Sequence, residues 1–328
     1  MPYRSVFTES DSDEGKGPLQ TRHTQTTISS LNQKNYRQSN TYKYRPDNSR
    51  FSRLKNRKGK ASPLDIPLHM RLLTWNVLKN TDSWWDRRDA IIDIASSWSA
   101  DIMAFQEVPD AGFVSFKYLM YKKGYDVDEG PSGITGDRSY LAVSSSSCEF
   151  ISHHQLDGID VSIDRIRKRD GSWPDLMVAS YHGHWGNEGS GLRLAELSII
   201  DRTIRSLGDK DCPAFIMGDF NAVTSERATR YMYGLDVGMT PDDCTYWTDA
   251  QVATRTDIPG GTSLRTGRGA ESARRMGIRP SMLPIRTIDH IMSLGWNYGK
   301  DYGWRGFNAE SYGNVSDHSM LVADTVKT

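Results

Sequence analysis

An aspartate and an asparagine, Asp219 and Asn221, follow directly on the apolar run 214–217, which is closed by Gly218. A short apolar run that ends at a glycine is typical of a buried strand entering a tight turn. Such a turn sets both polar side chains at the carboxyl edge of a sheet, where open α/β sheets bind their ligands. The pair therefore indicates a ligand site at this edge, with ordinary Gly-Asp turn chemistry as the alternative.

Polar side chains stand at four other predicted strand ends in the same way. They are Asn76, Glu107, His182 and, towards the C-terminal end, Asp289 with the Asp317-His318 pair. Taken singly, each could be a turn residue, a solvated strand end or a loop cap. A strand that simply ends in solvent has no need of such groups, so their recurrence at five strand ends favours a site.

The hydrophobic pattern predicts the elements that must position these residues. Strands are predicted at 70–77, 102–108, 139–143, 149–153, 176–182, 214–219, 286–292 and 319–323. Helices are predicted at 85–97, in the segment that leads to Tyr121, at 192–207 and at 225–233. Ser83 is expected to cap the first of them. Because strands alternate with helices at first and become denser later, we expect two sheets packed face to face and covered by helices.

The first 66 residues differ in composition from the rest. They contain thirteen Lys or Arg and six Asp or Glu, although the whole chain of 328 residues has no formal net charge. The segment lacks apolar periodicity, which predicts a disordered basic tail at 1–66 before one folded domain at 67–328. Residues 41–60 could bind nucleic-acid phosphates through counterion release. A localisation signal or a solubilising tail is the alternative.

Several classes of protein are disfavoured by composition. Cys148, Cys212 and Cys244 are an odd number without CxxC spacing, which argues against a disulfide framework and against a cysteine zinc site. The N-terminus has no apolar core of a signal peptide, and no run approaches transmembrane length. We therefore expect an intracellular monomer without membrane contact, cytoplasmic in the first place and nuclear as the alternative.

At the strand-end residues the chain closely resembles the endonuclease/exonuclease/phosphatase superfamily. Six of its motifs occur in order within residues 70–325: Thr74-Trp75-Asn76, Phe105-Gln106-Glu107-Val108, Ser180-Tyr181-His182, Gly218-Asp219-Phe220-Asn221, Ile288-Asp289-His290 and Ser316-Asp317-His318. One such motif is weak evidence, but six in order are strong. The resemblance implies an α/β fold of the DNase-I-like type, a four-layered sandwich of two mixed β-sheets flanked by helices.

The resemblance also implies divalent-metal-dependent hydrolysis of phosphodiester bonds. Cleavage of a phosphate ester requires charge near the phosphate oxygens, an oriented water and a proton source. A hard cation such as Mg²⁺ (or Mn²⁺) takes oxygen ligands. The ligands implied here are Glu107 and the amide oxygen of Asn76, with Asp317 assisting.

The remaining motif residues receive catalytic roles from the same resemblance. Asp219 would orient and deprotonate the attacking water, and Asn221 would hold the developing oxyanion. His318 would donate to a phosphate oxygen while Asp289 binds its other ring nitrogen. His182 would act near the leaving group as an acid or a phosphate donor.

The histidines leave a second interpretation open. His182 and His184 point to one face of a strand and, with His153 and His154, could hold zinc. That interpretation is disfavoured because no carboxylate has a familiar zinc spacing. His182 fits the family position better because it ends the apolar strand, and His184 is the neighbour that could take its place.

The substrate expected from the sequence is DNA or RNA. Within residues 255–286, between the Asp219 motif and Asp289, the sequence has seven arginines and two acids, a composition that suits a polyanion. A flexible surface loop is the alternative. The arginines are Arg255, Arg265, Arg268, Arg274, Arg275, Arg279 and Arg286. A nuclease is therefore expected. The rivals are a phosphatase or sphingomyelinase-like phospholipase of the same superfamily, and a binding module with an inactive site.

Overall fold

The computed structural model describes residues 68–79, 81–130, 137–186, 189–208, 212–235, 247–258, 261–263, 274, 279, 286–294 and 302–327. These residues all belong to the compact unit Arg57–Thr328. The predicted basic tail lies outside the described residues, as do Arg265, Arg268 and Arg275 of the predicted arginine-rich loop.

The first sheet contains six strands. They are β1 (Leu68–Asn76), β2 (Ile102–Pro109), β3 (Tyr125–Val127), β4 (Asp137–Ser144), β11 (Tyr302–Ser311) and β12 (Ser319–Lys327). Their order is β11-β12-β1-β2-β4-β3. The central strands β1 and β2 are parallel, with Asn76 opposite Gln106, and the other neighbours pair antiparallel. The two polar strand ends at 76 and 107 therefore lie at the same edge.

The second sheet also contains six strands. They are β5 (Cys148–Gln155), β6 (Val161–Lys168), β7 (Leu176–His182), β8 (Ala214–Asp219), β9 (Trp247–Asp249) and β10 (Asp289–Leu294). Their order is β5-β6-β7-β8-β10-β9, with β7 and β8 parallel and the other neighbours antiparallel. Both sheets are mixed, as predicted.

Four of the five described helices pack on the outer faces of the two sheets, and the short fifth helix contacts β10 and β11. The described helices are α1 (Thr81–Ser97), α2 (Asp110–Lys122), α3 (Ser190–Leu207), α4 (Arg227–Met232) and α5 (Ala250–Thr254). Residues at helical spacing along α3, including Leu197, Ile200 and Ile204, are buried against outward residues of the second sheet. Residues of α1 and α2 pack in the same way on the first sheet. None of the described helices is long and apolar enough to span a bilayer.

The space between the sheets is filled by alternate residues of the central strands. Leu72 and Ile102 of the first sheet pack with Val178 and Phe215 of the second, and all four are fully buried. Alternation follows from the strand period of two, because Leu73 points to the opposite face and joins the helix-side core. Each such side chain contributes about 1.5–3 kcal/mol on burial. The predicted four-layered DNase-I-like sandwich is thus confirmed.

Candidate active site

Strand register brings three of the predicted residues side by side. His182 at the end of β7 lies opposite Asp219 of β8, and Asp219 lies opposite Asp289 of β10. The preceding Gly218 has a φ of 147°, and a Cβ there would stand 1.9 Å from the carbonyl oxygen of Tyr181. Only glycine permits this close approach of two strands. The backbone of the second sheet therefore fixes the relative positions of His182, Asp219 and Asp289.

A β-bulge directs Glu107 into the same site. The pairing of β2 with β4 shifts register between Phe105 and Val108, and Glu107 adopts a left-handed φ of 60°. Such a conformation is costly for a non-glycine residue and is commonly retained at functional sites. The Glu107 carboxylate accepts hydrogen bonds from Asn76 Nδ2 at 2.9 Å and from the Lys79 N–H at 3.0 Å.

Asn76 connects carboxylates of the two sheets. Its Nδ2 donates to Glu107 and, at 3.1 Å, to Asp219 Oδ2, while its Oδ1 accepts from the Leu78 N–H at 3.0 Å. The donor end of the amide faces both carboxylates because each of them needs a hydrogen-bond donor. Asn76 therefore acts as a bridge that positions Glu107 and Asp219. The expected role of the Asn76 amide oxygen as a metal ligand stays a prediction.

The turn before β12 is tied to the end of β1. Ser316 Oγ donates to the Asn76 carbonyl at 2.6 Å and accepts from the His318 N–H at 3.1 Å. The buried Arg87 donates to the carbonyls of Val77 and Val315 at 2.7 and 2.5 Å. These bonds explain why the Asp317-His318 pair, far away in sequence, arrives beside Asn76.

His318 lies between two carboxylates. Its Nδ1 is 2.9 Å from Asp289 Oδ2, and its Nε2 is 3.6 Å from Asp219 Oδ2. Burial lowers the pKa of His318, but Asp289 and Asp219 together raise it well above its usual value. The three residues also lie close enough to be considered as a metal cluster. Both carboxylates already accept hydrogen bonds, Asp219 from Asn76 and Asp289 from His318. We therefore interpret the three residues as a histidine held by one carboxylate and facing another, rather than as a metal cluster.

His182 faces the site from the opposite side of Asp219. Its Nε2 is 3.7 Å from Glu107 Oε1 and 3.9 Å from Asp219 Oδ2, and its Nδ1 is 3.2 Å from Asp160 Oδ2. Burial lowers the pKa of His182, yet Asp160, Glu107 and Asp219 raise it to about 10. By contrast, the half-exposed His184 is 3.3 Å from Glu196.

The four histidines of the zinc alternative do not share one set of partners. His153 contacts Asp164, whereas His182 contacts Asp160, and His154 contacts the Ser152 hydroxyl. The geometry therefore offers no support for a zinc site that combines His182 with His153.

Asp219 is the buried centre of the arrangement. Its Oδ1 accepts from the Asn221 N–H at 2.8 Å, and Asn221 has a left-handed φ of 50°. Burial raises the pKa of Asp219 to about 6, although His318 and His182 oppose the rise. Asn221 Nδ2 donates to the Gly183 carbonyl at 2.9 Å, which leaves its second amide hydrogen for an oxyanion.

Glu107 and Asp317 fit the requirement for a cation. Asp317 Oδ1 is buried and has no hydrogen-bond partner among the described residues, so a cation or a proton is needed beside it. Burial raises the pKa of Asp317 more than His318 lowers it, and the nearby Glu107 carboxylate raises it further. Burial also acts to raise the pKa of Glu107, but His182 and the Lys79 N–H bring it below its usual value. Two hard carboxylates near enough to affect one another electrostatically suit Mg²⁺ or Mn²⁺.

Asp160 is a site residue that the sequence analysis did not identify. It lies just before β6, where it also accepts from the Ser139 N–H at 2.9 Å. In the sequence it stands in a turn-like stretch, Leu156-Asp157-Gly158-Ile159-Asp160, so its composition gives no signal beyond turn chemistry. Only the fold reveals that this carboxylate orients the His182 ring.

We expect Asp160→Asn to lower the rate roughly 10- to 100-fold, because carboxylates that orient a histidine typically contribute that much. The variant should lower kcat with little change in KM, because Asp160 acts through the His182 ring. Steady-state kinetics on one phosphodiester substrate would measure this, with Asp157→Asn in the same turn as the control. Equal rates for both variants would show that Asp160 has no positioning role.

The fold is a sandwich of two mixed sheets, and carboxylates and histidines meet at the ends of its central strands. The family model for the Endonuclease/Exonuclease/phosphatase family matches residues 73–318. The chain belongs to this family. Its members are hydrolytic phosphoesterases that depend on a divalent metal. No curated protein sequence matched the chain.

Solved structures of similar fold include three whose descriptions give a bound ligand or an activity. The human Nocturnin catalytic domain with bound sulfate is 17% identical, with a TM-score of 0.59, over 80% of this chain and 94% of that one. D. rerio TDP2 complexed with a single-strand DNA product is 16% identical, with a TM-score of 0.59, over 78% and 98%. ANGEL2, a 2′,3′-cyclic phosphatase, in complex with adenosine-2′,3′-vanadate is 15% identical, with a TM-score of 0.58, over 79% and 96%.

Proposed function

We propose that the protein hydrolyses phosphodiester bonds of nucleic acid, DNA or RNA, with Mg²⁺ or Mn²⁺. The observation that carries this proposal is the position of Asp219. This buried carboxylate has a histidine nitrogen within 4 Å on each side, and Asn76 links it to Glu107. One base between two cationic donors suits in-line attack of water on a phosphate.

Each of the site residues then has a defined role in the proposed reaction. Asp219 accepts a proton from the attacking water, and the Asn221 N–H holds its carboxylate in place. His318, oriented by Asp289, donates to a phosphate oxygen, and His182 donates on the leaving-group side. A divalent cation held by Glu107 and Asp317 would offset the charge that develops on the phosphate oxygens.

The two neighbouring histidines allow a direct test of this assignment. We expect His182→Ala to lose on the order of a hundredfold in kcat, because it removes a charged donor from the site. His184→Ala should retain activity near that of the unmodified protein, since the His184 ring is half exposed and contacts Glu196. Rate measurements on both variants would show which of the two histidines is catalytic. Loss of activity in His184→Ala but not in His182→Ala would assign the role to His184.

An exposed tryptophan on the loop that follows His182 supports a nucleic-acid substrate. Trp185 is 79% exposed and follows His182 by three residues. The buried Arg193 donates to the carbonyls on both sides of it, to His184 at 2.5 Å and Gly186 at 2.8 Å. A large aromatic surface on a fixed loop suits the stacking of a nucleobase. The DNA product bound by D. rerio TDP2 shows that this fold accommodates such a ligand.

We expect Trp185→Ala to raise KM for a single-stranded oligonucleotide roughly 5- to 100-fold, the range that corresponds to one base stacked on an aromatic ring. Turnover of bis(p-nitrophenyl) phosphate, which has no nucleobase, should be unchanged. Trp85→Ala is the control, because Trp85 is an exposed tryptophan on α1. An unaltered KM for the oligonucleotide would remove Trp185 from substrate binding.

A substrate panel distinguishes the proposed nuclease from its rivals. Single-stranded DNA, single-stranded RNA, sphingomyelin vesicles and p-nitrophenyl phosphate should be compared with Mg²⁺ present. We expect cleavage of nucleic acid to be the most efficient reaction. Preferred turnover of sphingomyelin or of the phosphomonoester would identify one of the rival enzymes, and no turnover at all would favour a binding module. The role of the basic arm at 41–60 and the monomeric state stay predictions.

A further inference from the structure

A second cluster of metal-ligating side chains lies in the same unit. Asp128 follows β3 of the first sheet, and His153 and Asp164 belong to β5 and β6 of the second. One potential ligand atom from each of these three residues lies within 4.8 Å of the other two. Asp164 is paired with Val178, four residues before His182 on β7, or about 13 Å along the strand. The cluster is therefore separate from the catalytic carboxylates.

The cluster has fewer hydrogen-bond donors than carboxylate oxygens. Ser162 Oγ contacts both Asp128 Oδ2 and, at 3.0 Å, Asp164 Oδ2, but a hydroxyl has a single hydrogen to donate. Asp164 Oδ1 is 2.9 Å from His153 Nδ1. Among the described residues, the second oxygen of Asp128 has no hydrogen-bond partner, although the residue is only 7% exposed. A buried carboxylate in this state requires a cation or a proton.

The basic side chains of β6 bind other carboxylates. Arg165 and Arg167 bind Asp175 at 3.0 and 2.8 Å, and Lys168 binds Asp101 at 2.7 Å. Burial and the neighbouring Asp164 carboxylate raise the pKa of Asp128 well above its usual value. The carboxyl pair thus holds a shared proton unless a metal ion takes its place.

We propose that Asp128, His153 and Asp164 bind a divalent transition metal ion, for which Zn²⁺ is the appropriate probe. One imidazole nitrogen with two carboxylates suits Zn²⁺ or Mn²⁺ better than Mg²⁺, which prefers oxygen ligands and retains several waters. Ligand atoms around one Zn²⁺ lie at most about 4 Å apart, so the cluster needs to contract by less than about 1 Å. The side chain of His153 is 29% exposed, which gives the ion a route of entry.

The site would stabilise the fold rather than act on the substrate. It joins β5, an edge strand of the second sheet, to β6 and to the segment that follows β3, an edge strand of the first. A metal ion at this position therefore links the two sheets at one margin of the sandwich. Ligands that are brought together only in the folded state stabilise it when they bind a metal.

The test uses the full chain with Glu107→Gln as the parent, because this change removes a ligand of the catalytic cation. Zn²⁺ binding is measured by equilibrium dialysis, and the melting temperature is measured with and without Zn²⁺. We expect the parent to bind one Zn²⁺ in this cluster and to melt about 5 °C higher with Zn²⁺ in large excess over its Kd. Adding Asp128→Asn or His153→Gln should abolish both effects.

Both variants are expected to fold, so a loss of Zn²⁺ binding would not result from unfolding. Asp128→Asn places an N–H where the shared proton would lie, so it should fold without metal. His153→Gln alters a partly exposed position and should also fold. His154→Gln, at the adjacent position on β5, is the control and should bind Zn²⁺ like the parent. If the parent binds no Zn²⁺, or binds it equally after Asp128→Asn and His153→Gln, the carboxyl pair holds only a proton and the proposal is overturned.

Discussion

Asp219→Asn is expected to lower kcat by on the order of a hundredfold to ten-thousandfold, because it removes the general base while the water and phosphate sites remain. The amide oxygen of asparagine can still accept from the Asn221 N–H, so the turn after β8 should keep its shape. KM should change little, since Asp219 acts on the attacking water rather than on the bound substrate.

The matched control for this prediction is Asp201→Asn. Asp201 is also a buried carboxylate, but it lies on α3, where it accepts from Trp247 Nε1 and Arg205. We expect this variant to lose stability and to keep kcat. The two variants should be compared at a temperature at which circular dichroism shows both to be folded. Near-normal turnover by Asp219→Asn would mean that another group accepts the proton.

His318→Ala is expected to cost roughly a hundred- to a thousandfold in kcat, the size of effect found when one donor to a developing oxyanion is lost. The loss should be large because the carboxylates of Asp289 and Asp219, against the effect of burial, raise the pKa of this ring well above its usual value. Kinetics under saturating substrate would measure it, and a loss of less than about tenfold would place the phosphate donor elsewhere.

A double-mutant cycle with Asp289 shows whether the two residues act as one unit. Asp289→Asn alone should lower kcat, because the His318 ring loses its charge partner and its fixed orientation. In the His318→Ala background, the same change should add little further loss, since residues that act together are not additive. Additive losses would show that Asp289 has a role independent of His318.

The sequence predicts most of the fold because its central strands are continuously apolar. β2, β7 and β8 are buried on both faces, so their apolar runs stop where the polar site residues begin. β6 and β11 were not predicted, for different reasons. In β6, Val161–Lys168, the alternation of apolar and polar residues breaks after Asp164, and four of the last five residues are charged. β11 is an edge strand with glycines and a bulge between Trp304 and Gly306. Short edge elements such as β3 and β9 have too little pattern to be recognised.

The predicted start of the first helix was also only partly right. Ser83 was expected to cap it, but α1 begins at Thr81, and the Ser83 hydroxyl accepts from Arg87 within the helix. The error arises because serine serves both as a cap and as a side-chain acceptor in the first turn.

The site was predictable as a set of residues but not as a set of contacts. Motif order selects Glu107, Asp219 and His318, yet it says nothing about the bulge that turns Glu107 inward or about which end of the Asn76 amide faces it. The role of Asp160 could not be predicted from the sequence for the same reason, because it depends on a contact between a turn and the end of β7. Orientation is set by the backbone and by hydrogen bonds between elements distant in sequence.

The central claim is that this site cleaves phosphodiesters with a divalent cation bound by Glu107 and Asp317. The most direct measurement is the cleavage rate of a labelled single-stranded oligonucleotide with Mg²⁺, with EDTA, and with EDTA followed by excess Mg²⁺ or Mn²⁺. We expect cleavage with Mg²⁺, loss of cleavage with EDTA and recovery on readdition, and Glu107→Gln should need far more metal for half-maximal rate. Full turnover in the presence of EDTA, or an unchanged metal requirement in Glu107→Gln, would contradict it.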